Sequence, residues 1–334
     1  KVFTTVENRL FAISNDGKLI IWDLNKMDTI PFAHNDNEFH YLAVSKDRHN
    51  QIYLGTDSGS IFNINPKDLS YSMVLHEKYP VYGICFNSSN KMFLIVPYAL
   101  YEPEIQKVWY NFIHEKNAGL KHISKNGKES NKYFELPQIT FIDHQDRIWM
   151  TSSFGEFGGS LQLFDAKEGK ILSSKFDSIQ MGLFFPQSVF NDEKGNVFIT
   201  SGLQHFMSSG VIYKIDPNRN VTRIFDSRDY RDTIQTKFED DGVFVGPGTY
   251  NKADKSIYFA TANGFYKAAL PSKGKLQNIH LLFRPQLSTL REPMAIGYKM
   301  TTKQMEFTTD NRLLFLTLND GFGIYDGQKL IFFK

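Results

Sequence analysis

Short apolar runs with an aromatic residue or leucine in third place recur seven times along the chain. The third places are Phe11, Tyr53, Phe93, Trp149, Phe198, Tyr258 and Leu314. Successive places are 42, 40, 56, 49, 60 and 56 residues apart. After each run comes a loop, usually with glycine, and then a second apolar run, which ends in a polar residue in every unit but the sixth. Self-similarity at this spacing predicts one structural unit that returns seven times.

Each unit contains signals for four strands, and the fifth unit shows them most completely. Runs rich in β-branched and aromatic residues cover 188–191, 197–200, 211–215 and 221–225. Four-stranded units at such a period are typical of propeller blades, whose arrangement in a ring limits exposed sheet edges. The sequence therefore predicts an all-β, seven-bladed β-propeller of four-stranded antiparallel blades. A β-sandwich or a β-helix is the alternative, but a sandwich gives no reason for a sevenfold repeat.

The repeat also predicts one domain over residues 1–334, because repeats stack into one body. The blades are predicted at about 1–37, 38–77, 78–136, 137–184, 185–240, 241–290 and 291–334. Turns such as Asn15-Asp16-Gly17 and Asp57-Ser58-Gly59 favour hairpins, because their residues tolerate a positive φ.

The third blade carries the first long insertion. Its third strand is expected near Ile123-Ser124, and the preceding segment has apolar residues at 105, 108, 109, 112 and 113. Those offsets predict a short amphipathic helix over about 103–114. The helix has two interpretations: it packs on its own blade, or it serves as a lid or as a partner-binding element.

The long loops all belong to one end of the blades. Because strands alternate in direction, the first–second and third–fourth turns open at one end of a blade. The second–third loops and the blade-to-blade connections open at the other end. The insertions at that other end cover 103–114, 153–159, 202–210, 226–241 and 285–302. Since function collects on loops held by a rigid frame, we predict a recessed site on this face, at the mouth of the central channel.

Thirteen residues on that face are candidate ligand contacts. They are His40, Tyr79, Tyr82, Tyr98, Gln138, Phe154, Glu156, Gln187, His205, Phe206, Arg231, Tyr250 and Arg291. Aromatic side chains with a few hydrogen-bonding groups suit a small polar or sugar-like ligand. A purely structural role is the alternative for each residue.

No motif assigns a reaction to the chain. The sequence has no Walker-type glycine-rich loop, no HExxH and no GxSxG. His40 and His205 could approach each other, but a zinc site needs a third ligand. Glu156 could be one of two carboxylates for glycoside chemistry, and no second carboxylate is singled out. We therefore expect neither a metal nor a cofactor, and we favour binding over catalysis.

Composition narrows the range of partners. The formal net charge is +2 with both signs interspersed, which gives no reason to expect nucleic acid. No apolar run approaches the roughly 20 residues of a membrane span. Cys85 is the one cysteine, so no intramolecular disulfide is possible, and its apolar surroundings predict an inert core thiol. We expect a monomer.

The chain begins at Lys1, without Met and inside a predicted strand. A cleaved secretory or lipoprotein signal, or a trimmed chain, would explain this start. A single cysteine fits the cytosol and does not exclude the periplasm. We therefore expect a periplasmic or extracellular protein, with the cytoplasm as the alternative.

Two stretches resemble known repeat families. Residues 146–151 (DRIWMT) followed by 161–165 (LQLFD) resemble the repeats of two-component regulator propellers, which implies a periplasmic sensor or an uncharacterised exported protein. Residues 186–200 are similar to repeats of NHL-type and streptogramin-lyase-like propellers. The lyase-like group implies elimination chemistry with histidine and a divalent metal, but its catalytic pattern has no residue-by-residue match here. Gluconolactonase-like propellers have six blades, which counts against that group.

Three functions follow as hypotheses. The first is a sensor-like propeller that binds a ligand or a partner at the channel mouth. The second is an enzyme, a lyase or a hydrolase, with metal assistance as one option, whose site would need converging titratable groups at the same mouth. The third is a protein–protein interaction scaffold that uses the 103–114 segment, which would need an exposed apolar patch.

Overall fold

The computed structural model describes most of the chain, in twelve stretches. They are residues 2–33, 39–97, 99–111, 121–123, 129–131, 136–153, 159–172, 185–204, 208–230, 242–271, 273–287 and 302–334. Over these residues, seven four-stranded antiparallel sheets follow one another, each with its strands in chain order. The fold is a seven-bladed β-propeller, as the repeat predicts.

The blades divide between two compact units. Unit one is Lys1–Gln138 with Glu168–Lys170, and unit two is Ile139–Lys167 with Ile171–Lys334. Blades one to three lie in unit one. Blades five to seven and most of blade four lie in unit two.

Unit one begins with three blades of short strands. Blade one is β1 (Val2–Val6), β2 (Arg9–Ile13), β3 (Leu19–Asp23) and β4 (Asp28–Ile30). Blade two is β5 (Tyr41–Lys46), β6 (Ile52–Thr56), β7 (Ser60–Ile64) and β8 (Tyr71–His76). Blade three is β9 (Gly83–Phe86), β10 (Met92–Val96), β11 (Ala99–Glu102) and β12 (Lys107–Asn111). A separate hairpin follows, of β13 (Lys121–Ile123) and β14 (Glu129–Asn131).

Unit two has longer strands and one short 3-10 helix, Ser227–Tyr230, among its described residues. Blade four is β15 (Ile139–Ile142), β16 (Arg147–Ser153), β17 (Gly159–Asp165) and β18 (Lys170–Ile171). Blade five is β19 (Phe185–Asn191), β20 (Val197–Gln204), β21 (Ser208–Ile215) and β22 (Val221–Asp226). Blade six is β23 (Val245–Asn251), β24 (Ser256–Thr261), β25 (Gly264–Ala269) and β26 (Gln277–Phe283). Blade seven is β27 (Thr302–Phe307), β28 (Leu313–Thr317), β29 (Phe322–Tyr325) and β30 (Leu330–Phe333).

The aligned apolar runs of the sequence are the second strands of the seven blades. They fall in β2, β6, β10, β16, β20, β24 and β28. At the third places, Phe93, Trp149 and Phe198 are fully buried. Neighbouring blades within a unit pack their apolar faces together, as where the rings of Phe225 and Phe259 lie 5.2 Å apart. Burial on both faces explains why these strands are continuous apolar runs rather than alternating ones.

The turns between first and second strands share one design in five blades. A polar side chain just after the first strand accepts a hydrogen bond from the backbone N–H four positions ahead, and the residue three positions ahead takes a positive φ. The accepting residues are Asp47, Asn87, Asp143, Asp192 and Thr308. Short polar side chains stabilise such turns by replacing a backbone acceptor. This end of the blades is therefore built of short, self-capped turns.

The predicted helix over 103–114 is wrong in its described part. Residues 103–106 form a turn and Lys107–Asn111 are β12, while residues 112–114 lie outside the described stretches. The turn closes with a hydrogen bond from Gln106 N–H to the carbonyl of Pro103 (3.2 Å), and Gln106 has a φ of 50°. Five apolar positions match a helical period, but pairing with β11 recruits the same backbone into the fourth strand of blade three. Tertiary pairing overrides a short local pattern in such cases.

The third strand of blade three is also misplaced in the prediction. It is β11, Ala99–Glu102, which begins soon after β10 ends. Ile123 lies in the β13–β14 hairpin instead, and Ser124 is outside the described residues. Trp109 holds the true fourth strand in place, since its Nε1 donates to Oε2 of the buried Glu102 at 2.7 Å.

Asp226 ends β22 in blade five and is expected to make the stability of unit two depend on acid pH. Arg228 donates to its carboxylate from Nε (3.0 Å) and Nη2 (2.8 Å), and Arg223 Nη1 lies 3.1 Å away. Burial opposes ionisation, but the hydrogen bonds from Arg228 outweigh it and hold the pKa of Asp226 below its usual value.

A depressed folded-state pKa means that Asp226 adds stability above the pKa of the unfolded chain, about 3.9. That stability is lost as the pH falls through the folded-state pKa. Urea unfolding midpoints between about pH 2 and 6 should fall more steeply for the wild type than for D226N. R228M should reduce this acid loss, because without Arg228 the folded-state pKa of Asp226 rises toward its unfolded value. Parallel curves for the wild type and D226N would contradict the prediction.

Candidate functional site

The connection from β8 to β9 is fixed against the turn between β6 and β7. Glu77 N–H donates to the carbonyl of Gly59 at 2.9 Å, and Val81 N–H donates to the carbonyl of Thr56 at 2.9 Å. Tyr82 N–H donates to the carbonyl of Ile95 in β10 at 2.8 Å. We call His40, residues 56–60 and residues 77–82 the blade-two platform. The platform lies at the end of blade two that carries second–third loops and blade-to-blade connections.

Two glycines allow the connection to approach this closely. Gly59 has a φ of +90°, and a Cβ there would lie 2.1 Å from the carbonyl oxygen of Glu77. A Cβ on Gly55 would lie 2.6 Å from Cγ1 of Val81. Real Cβ atoms do not come this near to other heavy atoms, so both positions need glycine. The backbone of the platform is therefore closely packed.

Two tyrosines of the platform are exposed although their backbone is fixed. Tyr79 is 50% exposed and Tyr82 is 43% exposed. The ammonium of Lys78 lies 5.5 Å from the centroid of the Tyr79 ring, in range of a cation–π contact. Large rings that stay in solvent on a rigid backbone are typical of binding surfaces, because they offer contact area at low conformational entropy cost.

Polar groups surround the tyrosines. The carbonyl of the exposed His40 accepts from Asp57 N–H at 3.0 Å, and Asp57 and Ser58 are themselves exposed. The hydroxyl of Ser58 lies 3.0 Å from that of Thr56 and 3.5 Å from that of Ser60. These side chains give the platform hydrogen-bond donors, acceptors and one carboxylate.

Ser60 and His76 form a hydroxyl–imidazole pair at the edge of the platform. Ser60 Oγ and His76 Nδ1 are 3.1 Å apart, and the two residues are partners in the register of β7 and β8. Ser60 is only 3% exposed. The pair joins β7 to β8, and the burial of Ser60 leaves little of its hydroxyl open to solvent.

Glu77 begins the connection and is half-buried against blade three. Burial raises the pKa of Glu77, while a hydrogen bond from the hydroxyl of Tyr101 in β11 works in the opposite direction. Burial, and then the charge of Glu77, raise the pKa of Tyr101. Glu77 therefore joins the platform to blade three.

The structure brings three of the thirteen predicted site residues together. His40, Tyr79 and Tyr82 all belong to the blade-two platform. Gln138 is exposed just before β15 in the sequence. Gln187 lies near the start of β19, where its Nε2 donates to the carbonyl of Phe185 at 3.2 Å. Gln138 and Gln187 therefore lie at the connection end of blades four and five. The platform lies at the corresponding end of blade two.

Tyr250 is at the opposite end from the one predicted for it. It is the next-to-last residue of β23, beside the short turn to β24, and it is 9% exposed. Burial first, and then a hydrogen bond to Glu193 in the first–second turn of blade five, raise its pKa. Its position follows from strand direction, because β23 starts at the connection end with Val245 and reaches Tyr250 only near its far end.

The other predicted site residues lie outside the described stretches. They are Tyr98, Phe154, Glu156, His205, Phe206, Arg231 and Arg291. Their part in a site, and the site at the channel mouth, stay predictions.

Sequence reasoning misses several members of the platform. Ser58, Ser60 and Glu77 of the platform, and His76 at its edge, are not among its candidates, and residues 57–59 stand out only as a tight turn. Hydroxyl residues recur at 56, 58 and 60 across the β6–β7 turn, and this cluster is the signal that could indicate a polar surface there.

Two other features are absent from the described residues. In that part of the chain, no three His, Cys, Asp or Glu side chains are grouped so that they could hold a metal ion. No helix there is long and apolar enough to cross a membrane. Cys85 is buried, and its burial raises the pKa of its thiol to about 12.

No known protein family matches the sequence, and no curated protein matches it. Solved structures do match. The β-propeller domain of Cps50 (Swd1) from Myceliophteria thermophila is 13% identical with a TM-score of 0.57, over 98% of this chain and 94% of that chain. A chain of the mitotic checkpoint complex is 10% identical with a TM-score of 0.58, over 95% of this chain and 84% of that chain.

One of the matching structures comes from a two component system. The extracellular domain of the putative hybrid two component system BT3049 from B. thetaiotaomicron is 16% identical, over 100% of this chain and 45% of that chain, with a TM-score of 0.35. A score this low carries no argument, so the resemblance to regulator propellers stays a prediction. Identities of 10% and 13% show the fold alone. What the chain shares with these structures is the β-propeller fold.

Proposed function

We propose that the protein binds a protein partner through the blade-two platform. The observation that carries the proposal is the exposure of Tyr79 and Tyr82, 50% and 43%, on a connection whose backbone is hydrogen-bonded to a turn and to a neighbouring strand. Interface hot spots are enriched in tyrosine. A fixed backbone favours binding, because less conformational entropy is lost when the partner binds. A propeller that binds partners or ligands is consistent with this fold.

The polar rim of the platform supports the same proposal. Asp57, Ser58 and His40 are exposed beside the tyrosines, and Lys78 adds a positive charge. An aromatic centre with a polar, solvent-accessible rim is the usual anatomy of a protein–protein interface. A partner surface with an apolar centre and mixed charges around it would complement the platform.

A small polar or sugar-like ligand is the second candidate. The juxtaposition of the exposed rings of Tyr79 and Tyr82 with the hydroxyl of Ser58 and the carboxylate of Asp57 favours it, because sugars combine apolar faces with hydroxyl groups. Titration with a panel of mono- and disaccharides, followed by isothermal calorimetry, would identify such a ligand.

We also propose that the protein is exported and sensor-like. The support is the likeness of residues 146–151 and 161–165 to regulator-propeller repeats. Fractionation of the native source, with detection of the protein by antibody, tests this. Recovery in the cytosolic fraction alone would contradict it.

The double variant Y79A/Y82A is expected to lose partner binding without loss of stability. Both side chains are exposed, so each truncation should change the free energy of unfolding by no more than about 0.5 kcal/mol. Hot-spot truncation costs about 2 kcal/mol or more, so the affinity for the captured partner should fall by a factor of roughly 30 or more. Quantitative capture from the native source, with thermal unfolding of each variant, provides the measurement.

Phe332→Ala is the matched control. Phe332 is an exposed aromatic residue on β30, 39% exposed, outside the platform. Its substitution should leave capture unchanged. A photo-reactive phenylalanine analogue at position 79 or 82 should cross-link to a species of defined mass, and the same analogue at position 332 should not. Equal capture by the wild type and Y79A/Y82A would contradict the proposal.

A further inference from the structure

A groove in unit two lies between the third–fourth turns of blades five and six. Its volume is about 200 Å³. The lining residues are Lys214, Asp216, Asn220, Thr222, Ile224, Pro271, Lys273 and Gly274. The groove is at the end of its blades that carries the short turns, whereas the blade-two platform is at the connection end of blade two. The two features are therefore independent of each other.

Hydrogen bonds fix the two sides of the groove to each other. Leu276 N–H donates to the carbonyl of Ile224 at 2.8 Å, and the hydroxyl of Tyr230 donates to the carbonyl of Leu276 at 3.0 Å. Lys275 Nζ is 2.6 Å from the carboxylate of Asp229. These contacts hold the turn of blade six against β22. The groove is thus a formed feature of unit two rather than a gap between loosely associated turns.

The net charge of the groove is positive. Two lysines, Lys214 from β21 and Lys273 from the turn of blade six, line it, and among the described residues neither forms an ion pair. Asp216 is the one carboxylate of the lining, so two positive charges and one negative charge leave a net charge of +1.

The carboxylate of Asp216 is engaged by its own turn. It accepts from Asn220 N–H at 2.8 Å and from Asn220 Nδ2 at 2.8 Å. Burial works against its ionisation, but these hydrogen bonds and the charge of Lys214 hold its pKa below the usual value. Asp216 therefore stays ionised near neutral pH, and its own turn uses about half of its roughly four acceptor positions. An anion bound in the groove close to both ammonium groups would gain Coulomb attraction from each of them.

We propose that this groove binds a small oxyanion, a carboxylate or a phosphate, between Lys214 and Lys273. The hydroxyl of Thr222 can donate a hydrogen bond to such an anion, and Lys214 and Thr222 are direct cross-strand partners on β21 and β22. Ile224, which is 2% exposed, and Pro271 provide an apolar wall for a short aliphatic tail. The volume is below the roughly 300–1,000 Å³ usual for drug-sized ligands, which limits the occupant to a few heavy atoms.

Calorimetric titration of the whole protein with butyrate and with inorganic phosphate, at low ionic strength, tests the proposal. At least one of the two probes should bind saturably. K214Q and K273Q should each weaken that binding by roughly tenfold, because each removes one charge-assisted hydrogen bond. Tighter binding of butyrate would assign a carboxylate, and tighter binding of phosphate would assign a phosphate; either result supports the site.

K252Q is the control for a general effect of charge. Lys252 is exposed in the first–second turn of blade six, away from the groove. Its substitution should leave the affinity unchanged. The proposal is overturned if neither probe saturates, or if K252Q weakens binding as much as K214Q and K273Q do. None of the three lysines is buried, so the variants should fold, and a melting curve of each confirms this.

Discussion

Asp143→Ala is expected to lower the free energy of unfolding by about 3–5 kcal/mol, because it leaves a buried guanidinium without its counter-ion. Asp143 is 2% exposed and Arg147 is 4% exposed. The Oδ2 atom of Asp143 accepts from Arg147 Nε at 2.6 Å and from Trp149 Nε1 at 2.8 Å. The Oδ1 atom accepts from two backbone N–H groups of the turn, those of Gln145 and Arg147. Urea denaturation followed by circular dichroism measures the loss.

The effect should extend beyond blade four. Arg147 Nη1 donates to the carbonyl of Pro217, in the third–fourth turn of blade five, at 3.2 Å. An unpaired Arg147 would have to move toward solvent, and that movement breaks the contact between the two blades. Hydrogen exchange should therefore accelerate in the 216–220 turn of D143A as well as in blade four.

A second variant separates loss of charge balance from loss of packing. D143L/R147M replaces both charged partners with apolar ones of similar size, so no unpaired buried charge is left. It should be more stable than D143A, although it removes one more native side chain. If D143A lies within about 1 kcal/mol of the wild type, the cost expected of an unpaired buried charge is absent and Asp143 does not neutralise Arg147. If the double variant is the less stable of the two, the loss comes from packing instead.

The same turn shows why the fold is predictable from sequence. Residues 146–150 combine a turn residue with positive φ, Asp146, and an apolar run that contains a fully buried tryptophan. Both signals are local, and both recur in other blades. Each local signal is weak alone, but its recurrence in seven units at similar spacing makes the prediction reliable. The number of blades and the second strand of each blade therefore follow from the sequence.

Blade three shows the limit of local patterns. The apolar positions 105, 108 and 109 fit a helix, yet Ile105 and Val108 are 53% and 48% exposed, and their segment forms a turn and an outer strand. Whether the chain becomes helix or strand here depends on the edge of β11, a tertiary partner. As the outermost strand of its blade, β12 has one edge and part of its faces in solvent. Few of its positions must therefore be apolar, and no clear strand pattern results. Periodicity cannot distinguish it from a short helix.

The candidate site was predictable only as a region. The direction of the strands placed His40, Tyr79 and Tyr82 at one end of blade two, and the structure brings them into one platform. The close approach of residues 77 and 81 to the β6–β7 turn depends on Gly55 and Gly59, whose role appears only when both segments are in place. Tyr250 is a case in which the region itself was predicted wrongly. It was assigned to the start of its strand but lies near the end of β23, so its side chain is at the opposite end of blade six.

Gly59→Ala is expected to destabilise unit one by about 2–5 kcal/mol and to displace the blade-two platform. Two costs add up: the φ of +90° is unfavourable for alanine, and the new Cβ would lie 2.1 Å from the carbonyl oxygen of Glu77. The second cost can be relieved only by movement of residues 77–82, because the carbonyl of Glu77 belongs to the backbone. Hydrogen exchange of the Glu77 and Val81 amides, which donate to Gly59 and Thr56, should accelerate by on the order of 100-fold if the local stability falls by about 3 kcal/mol.

Gly327→Ala separates the two costs. Gly327 has a φ of +100°, but no heavy atom lies within 4 Å of the position of its Cβ. It should therefore show only the conformational cost, about 1–3 kcal/mol, with no change in the exchange of residues 77–82. The difference between the two variants measures the clash with Glu77. Equal losses of stability in G59A and G327A, with unchanged exchange at Glu77 and Val81, would mean that the connection yields freely. The exposed tyrosines would then stand on a mobile segment, and the rigid platform on which partner binding rests would be contradicted.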